Sequence, residues 1–324
     1  MRLRPAGIGD EREYARVIAS IHPDETVDPE VLRARWKQEA QRPQNQGRFL
    51  IRDGKRTCGI AFWARPADWT AGKVSVATVN VRMTPDGEST TDFARILAEM
   101  EATAKASGAD FARAVARADE LFHPRELKAC GYRVDRTSRS WVLDLTSRAG
   151  ELIPARARAR EAMSRIGIEL RSLTTPVSEA TWRELYVLTA ETIPDIPSSF
   201  PESIPTFDEW RSKRSEPGVY EERIWTAWSD HTLAAFSYLL FPVAAEVWTG
   251  YTATRGKFRG RGLARAVKLE TIGQAIEIGI NSINTSNDLE NAAILRINSS
   301  LGYQASPGLI SFVKDLRGSA KALR

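Results

Sequence analysis

The feature that most constrains this chain is an order of local patterns that runs through it twice. The first half opens with a short strand (Leu3–Arg4) and helices across Glu11–Ser20 and Asp28–Glu39. Strands follow at Arg48–Arg52, Thr57–Ala64 and Val74–Val81, with Asp53-Gly54 as the turn between the first two. The spacing then predicts a helix over Thr91–Lys105, a strand at Phe111–Ala116, a short helix ending at Gly131 and a strand at Trp141–Leu145. From Ile168 the order returns as a strand (Ile168–Ser172), a helix (Glu179–Thr192) and a Pro-rich connection (Pro194–Pro205). Strands at Ile224–Trp228, Leu233–Leu240 and Glu246–Thr254 precede a helix over Gly262–Ile278. A strand at Ile280–Thr285, a helix at Asn291–Ser299 and a strand at Leu309–Lys314 complete the second half. Strands interleaved with helices predict a mixed α/β class. The expected domains are 1–146 and 168–324, joined by an Arg- and Ala-rich connecting helix over 147–167. A chain of 324 residues suits that division, at ~100–200 residues per domain.

Composition narrows the chemistry. A hydrophobic content of 42% is that of a globular protein, and no apolar run approaches the ~18 residues of a membrane span. The charged start around Asp10-Glu11-Arg12-Glu13 has no signal-peptide core, so a soluble, cytoplasmic protein is expected. Cys58 and Cys130 form no metal or redox spacing, and His22, His123 and His231 are scattered. No metal is expected. A net charge of +5 admits nucleic acid, an acidic surface or a phosphorylated ligand. The clustering of the basic residues decides among them.

That cluster is Thr252-Ala253-Thr254-Arg255-Gly256-Lys257-Phe258-Arg259-Gly260-Arg261-Gly262-Leu263-Ala264, joining a strand to a helix in which Leu269, Ile272 and Ile276 form an apolar stripe. Arg255, Lys257, Arg259, Arg261, Arg265 and Lys268 come with no acid between them. Gly256, Gly260 and Gly262 remove side chains where a ligand would approach the backbone. The unpaired N–H groups of a helix start carry roughly half a positive charge, so the segment reads as a pyrophosphate cradle. Nucleic-acid binding would spread basic residues over a face and interleave exposed aromatics. A dinucleotide fingerprint would need a third glycine where Arg265 stands.

Arg259-Gly260-Arg261-Gly262-Leu263-Ala264 resembles the Arg/Gln-x-x-Gly-x-Gly/Ala signature of the GNAT N-acetyltransferases. Thr285-Ser286-Asn287, Asn291 and Leu301-Gly302-Tyr303 resemble that family's downstream elements. The close resemblance covers about 246–303. The first half resembles a degenerate repeat by element order alone, since its loop from Met83 to Thr90 lacks the motif and carries Asp86 and Glu88. The resemblance implies two tandem GNAT-like units, each a mixed, mostly antiparallel sheet flanked by helices. It also implies acetyl-CoA, or another short acyl-CoA, as co-substrate. The backbone of Thr252, Ala253 and Thr254 would pair with the pantetheine arm, and the N–H groups from Arg259 to Ala264 would hold the pyrophosphate. Asn287 and Asn291 would touch the cofactor.

Asn298 stands where many members have the tyrosine that protonates the leaving thiolate. Water, Asn298, Tyr303 or Tyr251 could serve instead. An alkylammonium acceptor with a pKa near ~10 must lose a proton before attack. Alternation along the strand places Glu246 on the face of Trp248, Gly250, Thr252 and Thr254, which makes it one candidate base. Asp195 in the Pro-rich connection is the other. The expected reaction is direct acetyl transfer to a primary amine of a small molecule, by a monomer or weak homodimer needing neither nucleic acid nor membrane. A mycothiol-synthase-like enzyme acting on an amino-sugar conjugate, or a non-catalytic acyl-CoA sensor or partner-binding module, are the alternatives.

Overall fold

The computed structural model describes residues 1–23, 27–39, 45–65, 74–197, 199–200, 204–214, 218–241 and 246–318. Part of the Pro-rich connection, at 198 and 201–203, lies outside them. By contacts the chain forms two units: Met1–Thr137 with Ser198–Ser203 and Pro307–Arg324, and Ser138–Pro197 with Ile204–Ser306.

In chain order the elements are β1 (Arg2–Pro5), α1 (Glu11–Ile21), α2 (Pro29–Glu39), β2 (Gln46–Asp53), β3 (Arg56–Ala64), β4 (Val76–Met83), α3 (Thr90–Ala106), β5 (Phe111–Arg117), α4 (Phe122–Ala129) and β6 (Arg133–Asp144). Then come α5 (Leu145–Arg165), β7 (Ile168–Ser172), α6 (Glu179–Thr192), α7 (Phe207–Lys213), β8 (Ile224–Ser229), β9 (Thr232–Leu240) and β10 (Val247–Thr254). The chain closes with α8 (Leu263–Glu277), β11 (Ser282–Asp288), α9 (Ala292–Leu301), β12 (Gln304–Ser306) and β13 (Leu309–Asp315). The doubled order read from the sequence is present. The short α7 and β12 are additions, and β6 begins well before Trp141.

The first unit's strands run in the order β1-β2-β3-β4-β5-β13-β6, with β4 and β5 parallel and the rest antiparallel. Its core packs Phe93, Ile96, Leu97 and Met100 of α3 against Val79, Val81 and Ala112. The chain's last strand belongs here. Phe312 is fully buried in this core, so β13 joins the first unit although the sequence division places it with the second.

In the second unit the order is β7-β8-β9-β10-β11-β6, with β12 on the other edge of β6 and only β10 and β11 parallel. Here β6 contributes the part from Ser138 onward. One face of the sheet packs Leu143, Leu239, Val247 and Ile283 against Leu269 and Ile272 of α8. The other packs Phe236, Tyr238 and Ala253 against Trp182 and Leu185 of α6 and Trp210 of α7.

Helix α5 is part of this unit rather than a free linker. Its Arg156 and Arg160, one turn apart, grip the buried Glu270 of α8 at 2.7 and 2.5 Å. Nor is α8 amphipathic, as the sequence stripe suggested. Every residue from Ala266 to Gly273 is buried, Lys268 and Glu270 included. None of the described helices is long and apolar enough to cross a membrane.

Candidate functional site

Strands β10 and β11 pair only at Val247/Ile283 and Trp248/Asn284. Beyond that point β10 stays with β9 as far as Thr254, and β11 stays with β6 as far as Asp288. The two parallel strands therefore part like the arms of a V. A β-bulge lies at the parting: Thr249 faces Leu239 and Tyr251 faces Tyr238, leaving Gly250 without a partner. A Cβ at Gly250 would lie 2.2 Å from the Tyr238 ring, so close approach requires glycine here. The V opens into a cavity of about 940 Å³, which is at the upper end of the ~300–1,000 Å³ typical of small-molecule sites.

The glycine loop closes one end of this cavity. Gly260 and Gly262 take φ of +77° and +84°, a region that side chains avoid. Gly262 is the N-cap of α8 and offers no side chain to its first amides. Among the described residues, no protein acceptor takes the N–H groups of Gly260 through Ala264. These amides, at the positive end of α8, can receive an anion. Arg259 departs from the expectation. Its N–H donates to the Gly256 carbonyl at 3.2 Å, its Nε donates to the Thr254 carbonyl at 3.1 Å, and its guanidinium pairs with Asp195. It fastens the loop, so the cradle begins at Gly260.

Of the residues singled out in the sequence, Thr252, Ala253, Thr254, Arg259, Gly260, Gly262, Leu263, Ala264, Asn287 and Asn291 line the cavity, and so does Asp195. Arg261 lies outside the lining, with its guanidinium over the Phe258 ring at 5.6 Å. Asn291 caps α9, accepting from the Ile294 N–H at 3.3 Å. Asn298 is also outside the lining. Fully buried, it donates to Asn287 Oδ1 at 2.7 Å and so holds a residue that does line the cavity.

The placement of Glu246 is overturned by the bulge. Across antiparallel strands, opposed residues share a face, so Trp248 goes with Leu240 while Thr252 and Thr254 go with Ser237 and Ala235. The extra residue at Gly250 reverses the alternation. Glu246 and Trp248 therefore face away from the side of Thr252 and Thr254. Glu246 is exposed, accepts from Asn284 Nδ2 at 2.9 Å and does not line the cavity.

The acid-free basic run also changes in three dimensions. Arg255 lies within 3.5 Å of Glu184 and 3.6 Å of Glu191, and Arg259 pairs with Asp195. These acids sit on α6 and just after it, more than sixty positions earlier. Only folding brings them to the loop.

Sequence reading missed the inner end of the cavity. Lys268, 1% exposed, lines it beside Thr249. Its Nζ has no hydrogen-bond partner and stands 5.1 Å from the centre of the Tyr303 ring. Burial alone pushes this ammonium down to about 7. Burial also holds the Tyr303 phenol protonated, well above its ordinary range. The Tyr303 hydroxyl faces Thr249, and neither closes a hydrogen bond of good geometry. The sequence did hold a signal: between Ala266 and Gly273, Lys268 and Glu270 are the two charged residues in a run that is otherwise apolar or small. Among the described residues no group of three or more His, Cys, Asp or Glu is placed to hold a metal.

No protein-family model and no curated protein sequence matches the chain. Solved structures do. A GCN5-related N-acetyltransferase from Sphaerobacter thermophilus is 17% identical, with a TM-score of 0.72 over 98% of this chain and 96% of that one. A tandem GNAT protein from the clavulanic acid biosynthesis pathway is 15% identical, with a TM-score of 0.71 over 98% and 99%. A GNAT-family acetyltransferase from Colwellia psychrerythraea is 11% identical, with a TM-score of 0.59 over 97% and 99%. Sheet order, the parted strands and these likenesses together give the conclusion that the chain has the tandem GNAT acetyltransferase fold.

Proposed function

We propose that this protein is an acyl-CoA-dependent N-acyltransferase that moves a short acyl group, acetyl in the simplest case, to a primary amine of a small molecule. One observation carries the reading: Gly260, Gly262, Leu263 and Ala264, whose amides have no side-chain cap, line the cavity between the parted strands. When bound there, an acyl-CoA supplies an activated thioester.

The remaining steps belong to this chain. The amides of Gly260 through Ala264 hold the diphosphate. The edge of β10 from Thr249 to Thr254, unpaired toward β11, offers backbone groups to the pantetheine amides. The bulge at Gly250 positions the acyl end where the strands part. Asp195 lines the cavity on the side of α6 and serves as the proton acceptor for the incoming ammonium, with Arg259 orienting it. Cys58 and Cys130 both lie in the first unit, so the attack is direct, without an acyl-enzyme.

The test is titration of acetyl-CoA against wild type and Gly262→Glu. Strain at positive φ and a carboxylate in the cradle together oppose binding by ~3 kcal/mol, about 100-fold in affinity. Equal affinities would overturn the assignment. The buried Asn298, with no hydroxyl at its position, favours a second reading as a module that binds acyl-CoA without transferring it. Release of free CoA above background with a panel of primary amines supports the enzyme, and binding without release supports the module.

A further inference from the structure

The inner end of the cavity carries more polar chemistry than an acetyl group needs. Lys268 Nζ, Tyr303 Oη and Thr249 Oγ1 are all buried and all without a hydrogen-bond partner. Lys268 and Thr249 line the cavity, and Tyr303, outside the lining, adjoins both: the amine stands 5.1 Å from its ring, and its hydroxyl faces Thr249. Each can donate a hydrogen bond. The two hydroxyls can also accept, but the cluster holds no anion to pair with the amine, and the neighbouring acids do not supply one. Glu270, on the same helix, is taken by Arg156 and Arg160 on α5. Asp195 is taken by Arg259, and Asp288 accepts from the Glu290 N–H.

Position identifies the part of a ligand that would reach these groups. Thr249 immediately precedes the bulge, where β10 and β11 part. The diphosphate cradle lies at the other end of β10, past Thr254, about 16 Å away at ~3.3 Å per strand residue. A donor held by its diphosphate at the cradle, with its arm along β10, ends its acyl group beside Lys268. A methyl group there would leave a buried amine and two hydroxyls unsatisfied.

We propose that the donor's acyl group ends in a carboxylate, as in malonyl- and succinyl-CoA, and that Lys268, Tyr303 and Thr249 receive that carboxylate. This rests on the acyl-CoA reading of the same cavity and names the class of donor within it.

The experiment is calorimetric titration of the full chain with CoA, acetyl-CoA, malonyl-CoA and succinyl-CoA, for wild type, Lys268→Met and Tyr303→Phe. The expected result is that at least one dicarboxylic donor binds wild type about 10- to 100-fold tighter than acetyl-CoA, the range of a charged hydrogen bond. Lys268→Met abolishes that preference and leaves CoA affinity unchanged, and Tyr303→Phe, which keeps the ring, reduces it several-fold. Equal binding of all three acyl donors to wild type overturns the proposal while leaving the acyl-CoA reading standing. Weakening of CoA itself by Lys268→Met also overturns it, because the amine then holds the carrier rather than the acyl end. Failure of CoA to bind wild type overturns both.

Discussion

In both units a parallel pair of central strands comes apart, and the two gaps are treated in opposite ways. In the first, β4 and β5 pair from Val76/Phe111 to Thr78/Arg113, and the side chain of Asn80 then reaches across to accept the Val115 N–H at 2.9 Å. His123 Nε2 accepts the Met83 N–H at 2.9 Å, β4 has no bulge against β3, and Ser89 caps α3 by accepting the Asp92 N–H at 3.2 Å. At each of these positions the group has an internal partner. In the second, Gly250 is unpaired, Gly262 caps nothing and Lys268 has no hydrogen-bond partner. A fold becomes a site where its backbone valences are left open, and the same architecture becomes plain scaffold where its own side chains fill them.

The contrast can be broken from either side. The largest effect falls on Glu270. Helix α8 lacks a side-chain cap, and besides its apolar packing on the sheet it is tied to α5 through Glu270 against Arg156 and Arg160. Glu270→Ala leaves Arg156 to Glu277 alone and Arg160, half exposed, to solvent, and costs about 3 kcal/mol, the low end for a broken buried pair, read by urea unfolding, with loss of acyl-CoA binding. In the closed gap, Asn80→Ala leaves the Val115 N–H unsatisfied and costs about 1–3 kcal/mol. Acyl-CoA binding stays unchanged, and a gain of a second bound equivalent would show the first unit's gap to be a latent site.

Lys268→Met acts in the opposite direction and stabilises the protein. The wild-type amine titrates near 7 when folded, against an ordinary value of 10.5 when exposed, so between those values the unfolded chain holds more protons. Wild-type stability therefore rises with pH across that window. The advantage of Lys268→Met is largest at and below pH 7 and shrinks toward pH 10, as thermal unfolding at several pH values would show. The smallest effect is Ser89→Ala, about 1 kcal/mol from the lost cap of α3, with acyl-CoA affinity unaltered.

Much of the site was legible because it depends on local chemistry. Gly260 and Gly262 mark a bend that only glycine tolerates, and the strand before them and the helix after them follow from short-range pattern. The face assigned to Glu246 failed because a bulge depends on the partner strand: Tyr238 crowds Gly250, and a lone glycine within 246–254 hints at a bulge without fixing it. Lys268 reads as one more member of the basic cluster because sequence gives its charge and not its surroundings. The acids that neutralise Arg255 and Arg259 were invisible for the same reason.

The sequence by itself determined the doubled α/β order and the glycine loop at a helix start, from which the proposed anion-binding role of residues 260–264 follows. These rest on backbone sterics and hydrogen bonds within a few residues, which neighbours in the chain settle. Tertiary structure alone decided that β13 completes the first unit, that the bulge opens the second unit's strands and that Lys268 is buried at the end of the opening. Pairing, face and dielectric surroundings are properties of residues far apart in the chain, and they exist only once those residues meet.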